Sequence, residues 1–344
     1  MISFDRYSNK TKRSYVRLTQ DVIMKVLKSY MMLIAIVVII AVTSLTSCIY
    51  DYDHCDDAAM RRIKIVFDWD RAPSADPAGM AVYFFPIGEG AIWRFDIASN
   101  KGGFVSIPSG SYHMLVYNND TYDILFRDES NYEDYDAYTA AFGELPRRLI
   151  PDSMDIDIDN MHPCPDMLWT VAQARVDIKT DRIEYGDTVS EEEILCHPDE
   201  LCAIYNYEIR NVKRLYGVKY MVAIISGMSP SVHMATGILG RDDVVLPVEA
   251  VARDNNMIAG RFYTFGRTGD VMAPNILDLY VELGDGRKLR YRFDVTRQVL
   301  EARDPYNVSI VIDGLELPES SSNPQGPLDV SVDDWTTIVV EYET

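Results

Sequence analysis

Three consecutive stretches decide the fold class: Leu277-Asp278-Leu279-Tyr280-Val281-Glu282-Leu283, then Gly284-Asp285-Gly286, then Lys288-Leu289-Arg290-Tyr291-Arg292-Phe293-Asp294-Val295. Each flank alternates apolar with polar residues. That period of two belongs to a strand with one buried face, because successive side chains point to opposite sides. Asp285-Gly286 between two such runs is a strong hairpin signal, since the turn needs positive φ.

The same pattern recurs outward in both directions. Arg62–Trp69, Met80–Phe85, Phe104–Ile107, Tyr112–Tyr117 and Ile124–Phe126 read as strands in the first half. Tyr205–Ile209, Tyr220–Ile225, Arg261–Phe265, Val308–Ile312 and Thr337–Tyr342 read so in the second. Pro86-Ile87-Gly88, Pro108-Ser109-Gly110 and Asn118-Asn119-Asp120 punctuate them with turn formers. Short strands separated this way predict an all-β sandwich architecture rather than βαβ units. Long amphipathic helices are absent; a short helix is expected around Glu191–Leu195 or Val295–Arg303. Glu319–Leu328, rich in Ser, Pro and Gly, reads as a loop. A boundary is expected where Pro163-Cys164-Pro165 and Gly186-Asp187-Thr188-Val189-Ser190 interrupt the pattern. The expected organisation is a sandwich over residues 60–180 and a second over 181–344, with no exact sequence repeat between them.

Residues 1–47 differ in kind. Arg6, Lys10, Lys12, Arg13, Arg17, Lys25 and Lys28 precede an apolar run from Tyr30 to Val42. At ~1.5 Å per residue this run spans roughly 20 Å, short of a ~30 Å bilayer core. A basic flank and a short apolar run make a signal peptide. The basic region is long, so translation starting at Met24 or Met31 stays open. Leu45-Thr46-Ser47-Cys48 follows and resembles a bacterial lipobox, with cleavage between Ser47 and Cys48 and acyl chains on Cys48. The competing state is an uncleaved anchor with an incidental Cys. Lipid at ~0.8 kcal/mol per buried CH₂ would hold the mature chain at a membrane.

Charge narrows the partners. The chain of 344 residues carries 33 Lys+Arg and 53 Asp+Glu, a formal net charge of −20. Seven of the bases and two of the acids precede Cys48, so the mature part stands at −25. Phosphate backbones need a basic surface, which excludes nucleic acid as a partner. Residues 48–59 form an acidic tether, with Asp51, Asp53, Asp56 and Asp57.

Candidate chemistry is sparse. Gly-x-Ser-x-Gly, His-Glu-x-x-His, phosphate-loop and dinucleotide signatures are missing, so no enzyme activity and no cofactor are expected. In an oxidising compartment Cys196 and Cys202 could close the His197–Leu201 loop with a disulfide, with buried free thiols as the alternative. Zinc on Cys196, His197, Cys202 and His162 or Cys164 fits no standard spacing. Met154–Asn160 alternates Asp with apolar residues, but lacks the Gly and Glu of a calcium loop and reads as a strand. The acidic, Tyr-interleaved Asp128–Tyr138 reads first as an exposed loop and second as a partner or glycan contact. Trp69, Trp93, Trp169 and Trp335 read as core before sugar platforms.

In order along the chain, the lipobox at Cys48, Phe67-Asp68-Trp69, Gly102–Tyr112, Val116–Thr121, Asn211–Leu215, Ile225–Ser231, Phe262–Gly266 and Ile312–Pro318 resemble the fimbrillin-like and fimbrial-anchor lipoproteins of Bacteroidales. The acidic run after Cys48 resembles the tag that takes such lipoproteins to the outer face of the outer membrane. The resemblance implies two tandem transthyretin-like, Greek-key (Ig-like) sandwiches on a lipid anchor. It also implies fimbrial subunits as partners, joined by β-strand addition. Arg61-Arg62 precedes a strand and Arg71 follows one, which leaves a processing cut near Arg71 open. Without a clear processing motif, an anchor, assembly or accessory role is expected before a shaft subunit. The runner-up is a surface glycan-binding lipoprotein of a polysaccharide-uptake system.

Overall fold

The computed structural model describes residues 60–142, 160–179, 192–320 and 336–339. The first half carries β1 (Met60–Phe67), β2 (Met80–Pro86), β3 (Trp93–Ile97), β4 (Gly102–Pro108), β5 (Gly110–Asn118), β6 (Leu125–Arg127), β7 (Asp136–Tyr138), β8 (Trp169–Ile178), β9 (Glu192–Cys196) and β10 (Asp199–Glu200). The second carries β11 (Ala203–Lys213), β12 (Val218–Met228), β13 (Ser231–His233), β14 (Val244–Val248), β15 (Val251–Arg253), β16 (Met257–Thr264), β17 (Ile276–Leu283), β18 (Lys288–Asp294), the short helix α1 (Thr296–Leu300), β19 (Asn307–Glu316) and β20 (Thr336–Val339).

These strands make two sandwiches with one plan. The first pairs a sheet of order β4-β1-β9 with one of order β10-β8-β5-β2-β3. The second pairs β15-β16-β11-β19 with β20-β18-β17-β12-β14. In each, the opening strand is central: β1 runs antiparallel to β4 and parallel to β9, and β11 runs antiparallel to β16 and parallel to β19. The repeat lives in strand order, which is why the sequence does not display it.

The deciding hairpin forms as β17–β18, with Gly286 at φ +89° and its N–H donating to Leu283 O at 3.0 Å. Leu277, Leu279, Val281 and Leu283 point into the core of the second sandwich with Leu289, Tyr291 and Phe293. Outside the sheet, the buried Asp278 carboxylate accepts Arg290 Nη2 at 2.5 Å and Arg292 Nε at 3.0 Å. A lone carboxylate there would be costly, so the two guanidiniums are what let the sheet carry it.

The first sandwich shows why β2 lacks alternation. Met80, Val82 and Phe84 enter the core with Ile63, Ile65 and Ile107. Ala81, Tyr83 and Phe85 enter a second apolar layer on the opposite face. A strand covered on both faces reads as a continuous apolar run. Gly102, at φ +115°, sits where an added Cβ would lie 2.0 Å from Ile65 O, so β4 can approach β1 only through glycine. A small third sheet, order β13-β7-β6, joins a strand of the second half to two of the first.

Three expectations meet the structure here. Val295–Arg303 holds α1, as read. Glu191–Leu195 does not make a helix: Glu192–Cys196 is β9, pairing with β1 from Ile63↔Glu192 to Phe67↔Cys196. Tertiary pairing overrides the helical propensity of consecutive Glu residues. The boundary expected between residues 180 and 181 falls outside the described residues. Beyond it, β9 and β10 still pair with β1 and β8.

Candidate functional site

The two sandwiches differ at one edge. On β18, β20 lies parallel from Leu289↔Thr336 to Arg292↔Val339. On β8 the corresponding neighbour is β10, which pairs only Asp199↔Thr170 and Glu200↔Trp169. Among the described residues, β8 therefore has no ladder on its outer side from Val171 to Ile178. Its other side pairs with β5 from Gly110↔Ile178 to Tyr117↔Thr170, with a register shift between Tyr112 and Met114. Ala172, Ala174, Arg175 and Asp177 are exposed. Arg175 Nε donates to Asp177 Oδ1 at 3.0 Å, and such charges blunt an edge against indiscriminate pairing. An edge of this kind offers unpaired main-chain groups to an extended partner.

The opposite face of the same sheet carries a tyrosine layer. Asp128–Tyr138 is not simply an exposed loop. Tyr135 is 0% and Tyr132 8% exposed, and its end pairs as β7 with β6 and β13. Tyr83, Phe85, Tyr117 and Phe126 ring Tyr135 at centroid distances of 5.6 to 6.2 Å. The Tyr117 and Tyr135 hydroxyls are 2.8 Å apart. Burial pushes both phenols well above the ordinary tyrosine value, so both stay protonated. The acidic backbone stretch is thus pinned by aromatic side chains that the alternation of Tyr with Asp and Glu did signal.

The sequence-derived sites fare differently. Ser47 and Cys48, the expected cleavage and lipidation pair, lie outside the described residues, as do Met154–Asp159 of the expected acidic strand and Trp335. Cys196 and Cys202 are free thiols, not a disulfide. Cys196 belongs to the sandwich core and Cys202 to the tyrosine layer, on opposite faces of the sheet. Five intervening residues looked like a closable loop; they carry the chain around the sheet edge through β10. Burial pushes the Cys196 thiol up to about 12, so it is a poor nucleophile and metal ligand. Among the described residues, neither thiol joins a cluster of metal-ligand atoms, so the zinc set does not assemble.

His197 instead donates from Nδ1 to Asp70 Oδ1 at 2.8 Å, with Asp68 Oδ2 at 4.0 Å. This hydrogen bond holds the Asp70 carboxyl below its ordinary value. Asp68, Asp70 and His197 bring ligand atoms within 4.8 Å of one another. The Asp70–His197 hydrogen bond ties the chain just past β1 to the chain just past β9. Trp69 donates from Nε1 to Asn100 O at 2.6 Å and meets Trp169 edge-on at 6.0 Å. Trp69 and Trp93 pack against the first core. Among the described residues, no helix is long and apolar enough to cross a membrane.

Known proteins share this architecture. A curated protein of Bacteroides ovatus named "Putative fimbrium anchoring subunit Fim4B" is 34% identical over 87 residues, 25% of this chain and 26% of that protein. The aligned stretch thus spans about a quarter of that relative. A crystal structure described as a "putative adhesin" from Bacteroides ovatus superposes with a TM-score of 0.58 at 22% identity, covering 77% of this chain and 96% of that one. It has the same fold. The fimbrial anchor protein Mfa2 of Porphyromonas gingivalis aligns with a TM-score of 0.46 at 12% identity, over 74% of this chain and 90% of that one. The family profile described as Domain of unknown function (DUF5119) matches residues 47–249, which run through the first sandwich and into the second. With more than half of its length matched, this chain belongs to the DUF5119 family.

Proposed function

We propose that the protein is a surface lipoprotein that anchors fimbriae or serves their assembly, held at the outer membrane by acyl chains on Cys48. The observation that carries this reading is the two-sandwich fold, joined to the local likeness to a protein named as a fimbrium anchoring subunit. Cleavage between Ser47 and Cys48 frees the acidic tether of residues 48–59, which self-repulsion keeps extended. The two sandwiches, the first of which takes in β9 and β10, then stand off a surface that an acidic body would not itself adhere to. A fimbrial subunit joins by laying a strand on the outer side of β8, where main-chain hydrogen bonds give affinity.

Two experiments test this. Cys48→Ala should move the protein from the membrane fraction to the soluble fraction; unchanged retention rejects the lipid anchor. A photo-crosslinker at Ala174, in cells assembling fimbriae, should capture a fimbrial subunit. Capture from Phe104, exposed on the opposite sheet, with none from Ala174 would move the contact away from β8.

A further inference from the structure

β1 ends at Phe67, and Asp68-Trp69-Asp70 follow it. β9 ends beside it at Cys196, and His197 comes next. Asp68 N–H donates to Cys196 O at 2.8 Å, so pairing runs one step past both strands and sets the two chain segments side by side. Both segments are pinned from behind. Trp69 Nε1 donates to Asn100 O, its ring meets Trp169 edge-on, and Pro198 is buried. Two carboxylates and an imidazole thus stand on fixed backbone, partly exposed and open to an ion from solvent.

The charges there are unbalanced. Among the described residues, neither Asp68 nor Asp70 has an ion-pair partner other than His197. Arg71, next along the chain, pairs with Asp199 at 2.9 Å instead. A neutral imidazole cancels neither carboxylate. The donor atoms say which cation would. Bonds from a zinc ion to imidazole nitrogen and carboxylate oxygen are ~2.0–2.2 Å, so ligand atoms around a tetrahedral ion stand ~3.4 Å apart. His197 Nδ1 lies 2.8 Å from Asp70 Oδ1 and 4.0 Å from Asp68 Oδ2, one separation on each side of that value. Asp70 N–H occupies Asp68 Oδ1 at 3.2 Å and leaves Oδ2 for the ion. Calcium takes roughly six to eight oxygens and magnesium an oxygen-rich octahedron. One nitrogen with two carboxylates suits a divalent transition ion.

We infer that Asp68, Asp70 and His197 bind one divalent transition-metal ion of the zinc class through Oδ2, Oδ1 and Nδ1, with water in the fourth position. On binding, Nδ1 gives up its proton and Nε2 takes one from solvent, so the ion replaces the proton now shared with Asp70. Coordinate bonds then tie the chain past β1 to the chain past β9. The site does not depend on the anchoring reading.

The test is calorimetric titration of Zn²⁺ into the full chain in detergent, with millimolar Ca²⁺ and Mg²⁺ present throughout. One ion per chain should bind saturably, and the thermal midpoint should rise with Zn²⁺ concentration. Asp68→Asn, Asp70→Asn and His197→Gln should each weaken binding at least ~tenfold, with near-ultraviolet circular dichroism unchanged. Co²⁺ in place of Zn²⁺ should give weak visible bands without the intense near-ultraviolet band of a thiolate ligand, which separates this site from the cysteines. Absence of saturable Zn²⁺ binding, binding indifferent to the three substitutions, a thiolate band, or displacement by Ca²⁺ overturns the assignment.

Discussion

The two sandwiches follow one strand order but solve the same surface problem with different chemistry. The outer face of the first five-stranded sheet is covered by rings, with Tyr83, Phe85, Tyr117 and Tyr135 in one layer. The outer face of the second carries a smaller apolar group of Met161, Val222, Ile224 and Tyr280 beside the Asp278–Arg290–Arg292 cluster. Topology therefore constrains which strands meet and leaves open what fills the space above them. Rings can fix a loop. An ion cluster finds its partners within its own hairpin, although the buried Arg290 Nε is left without one.

The strongest test of that equivalence is to cut both cores alike. Phe84→Ala and Phe293→Ala remove rings of 0% exposure from corresponding sheets, and each should cost ~3–5 kcal/mol. If the halves unfold as one unit, denaturant titration gives a single transition shifted equally by either change. Two transitions, each sensitive to one variant, would make the halves independent. Next in size, Asp278→Ala leaves two guanidiniums facing each other and should cost about 2–3 kcal/mol, less than a fully buried pair because both arginines reach solvent. Recovery by a further Arg290→Met change would show that the carboxylate offsets charge and does not merely pack. Equal stability of the single variant and wild type would remove the contrast between the two faces.

Smaller still, Tyr135→Phe deletes the hydroxyl shared with Tyr117 and should cost ~1 kcal/mol in the same titration. A change above ~3 kcal/mol would mean that the layer works as a polar network rather than as packed rings. Thiol reagents supply a qualitative check: Cys196 and Cys202 should both be inert in the native chain and both react after denaturation. A mass two hydrogens short across that loop would restore the disulfide. The mildest effect concerns His162, whose Nδ1 contacts Thr139 O at 2.7 Å. Burial lowers its pKa below the ordinary histidine value. The unfolded chain therefore gains a proton first as pH falls past ~6.5, and stability declines from there until the folded histidine also titrates. His162→Gln should flatten that slope; an unchanged slope assigns it to another group.

Much of the fold was legible because one-faced strands announce themselves. Ile63, Ile65 and Phe67 in β1, and the whole β17–β18 hairpin, show the period of two that a half-buried sheet imposes. β9 was hidden because Glu192 and Glu193 carry helical propensity, and only the distant β1 decides their conformation. The shared strand order was hidden for a deeper reason: β8 and β18 hold the same place, yet β18 alternates cleanly through Leu289, Tyr291 and Phe293 while the β5–β8 ladder shifts register between Tyr112 and Met114, so equivalent strands need different patterns. At the candidate sites, the Tyr spacing of Asp128–Tyr138 was visible, but the facing rings of Phe85 and His113 come from 19 or more residues away. The cysteine pair misled because closeness in sequence says nothing about which face of a sheet each thiol occupies.

The place of β1 has a mechanical consequence. It is the first described strand after the tether, and it lies between β4, with seven residue pairs, and β9, with five. Under the anchoring proposal, tension reaching Met60 from Cys48 pulls along the strand axis. Both ladders are then loaded in shear, so many hydrogen bonds must fail together instead of parting one after another as at a peeled edge. The connection to the membrane would carry load through the interior of a sheet, which suits a protein that holds a filament against flow.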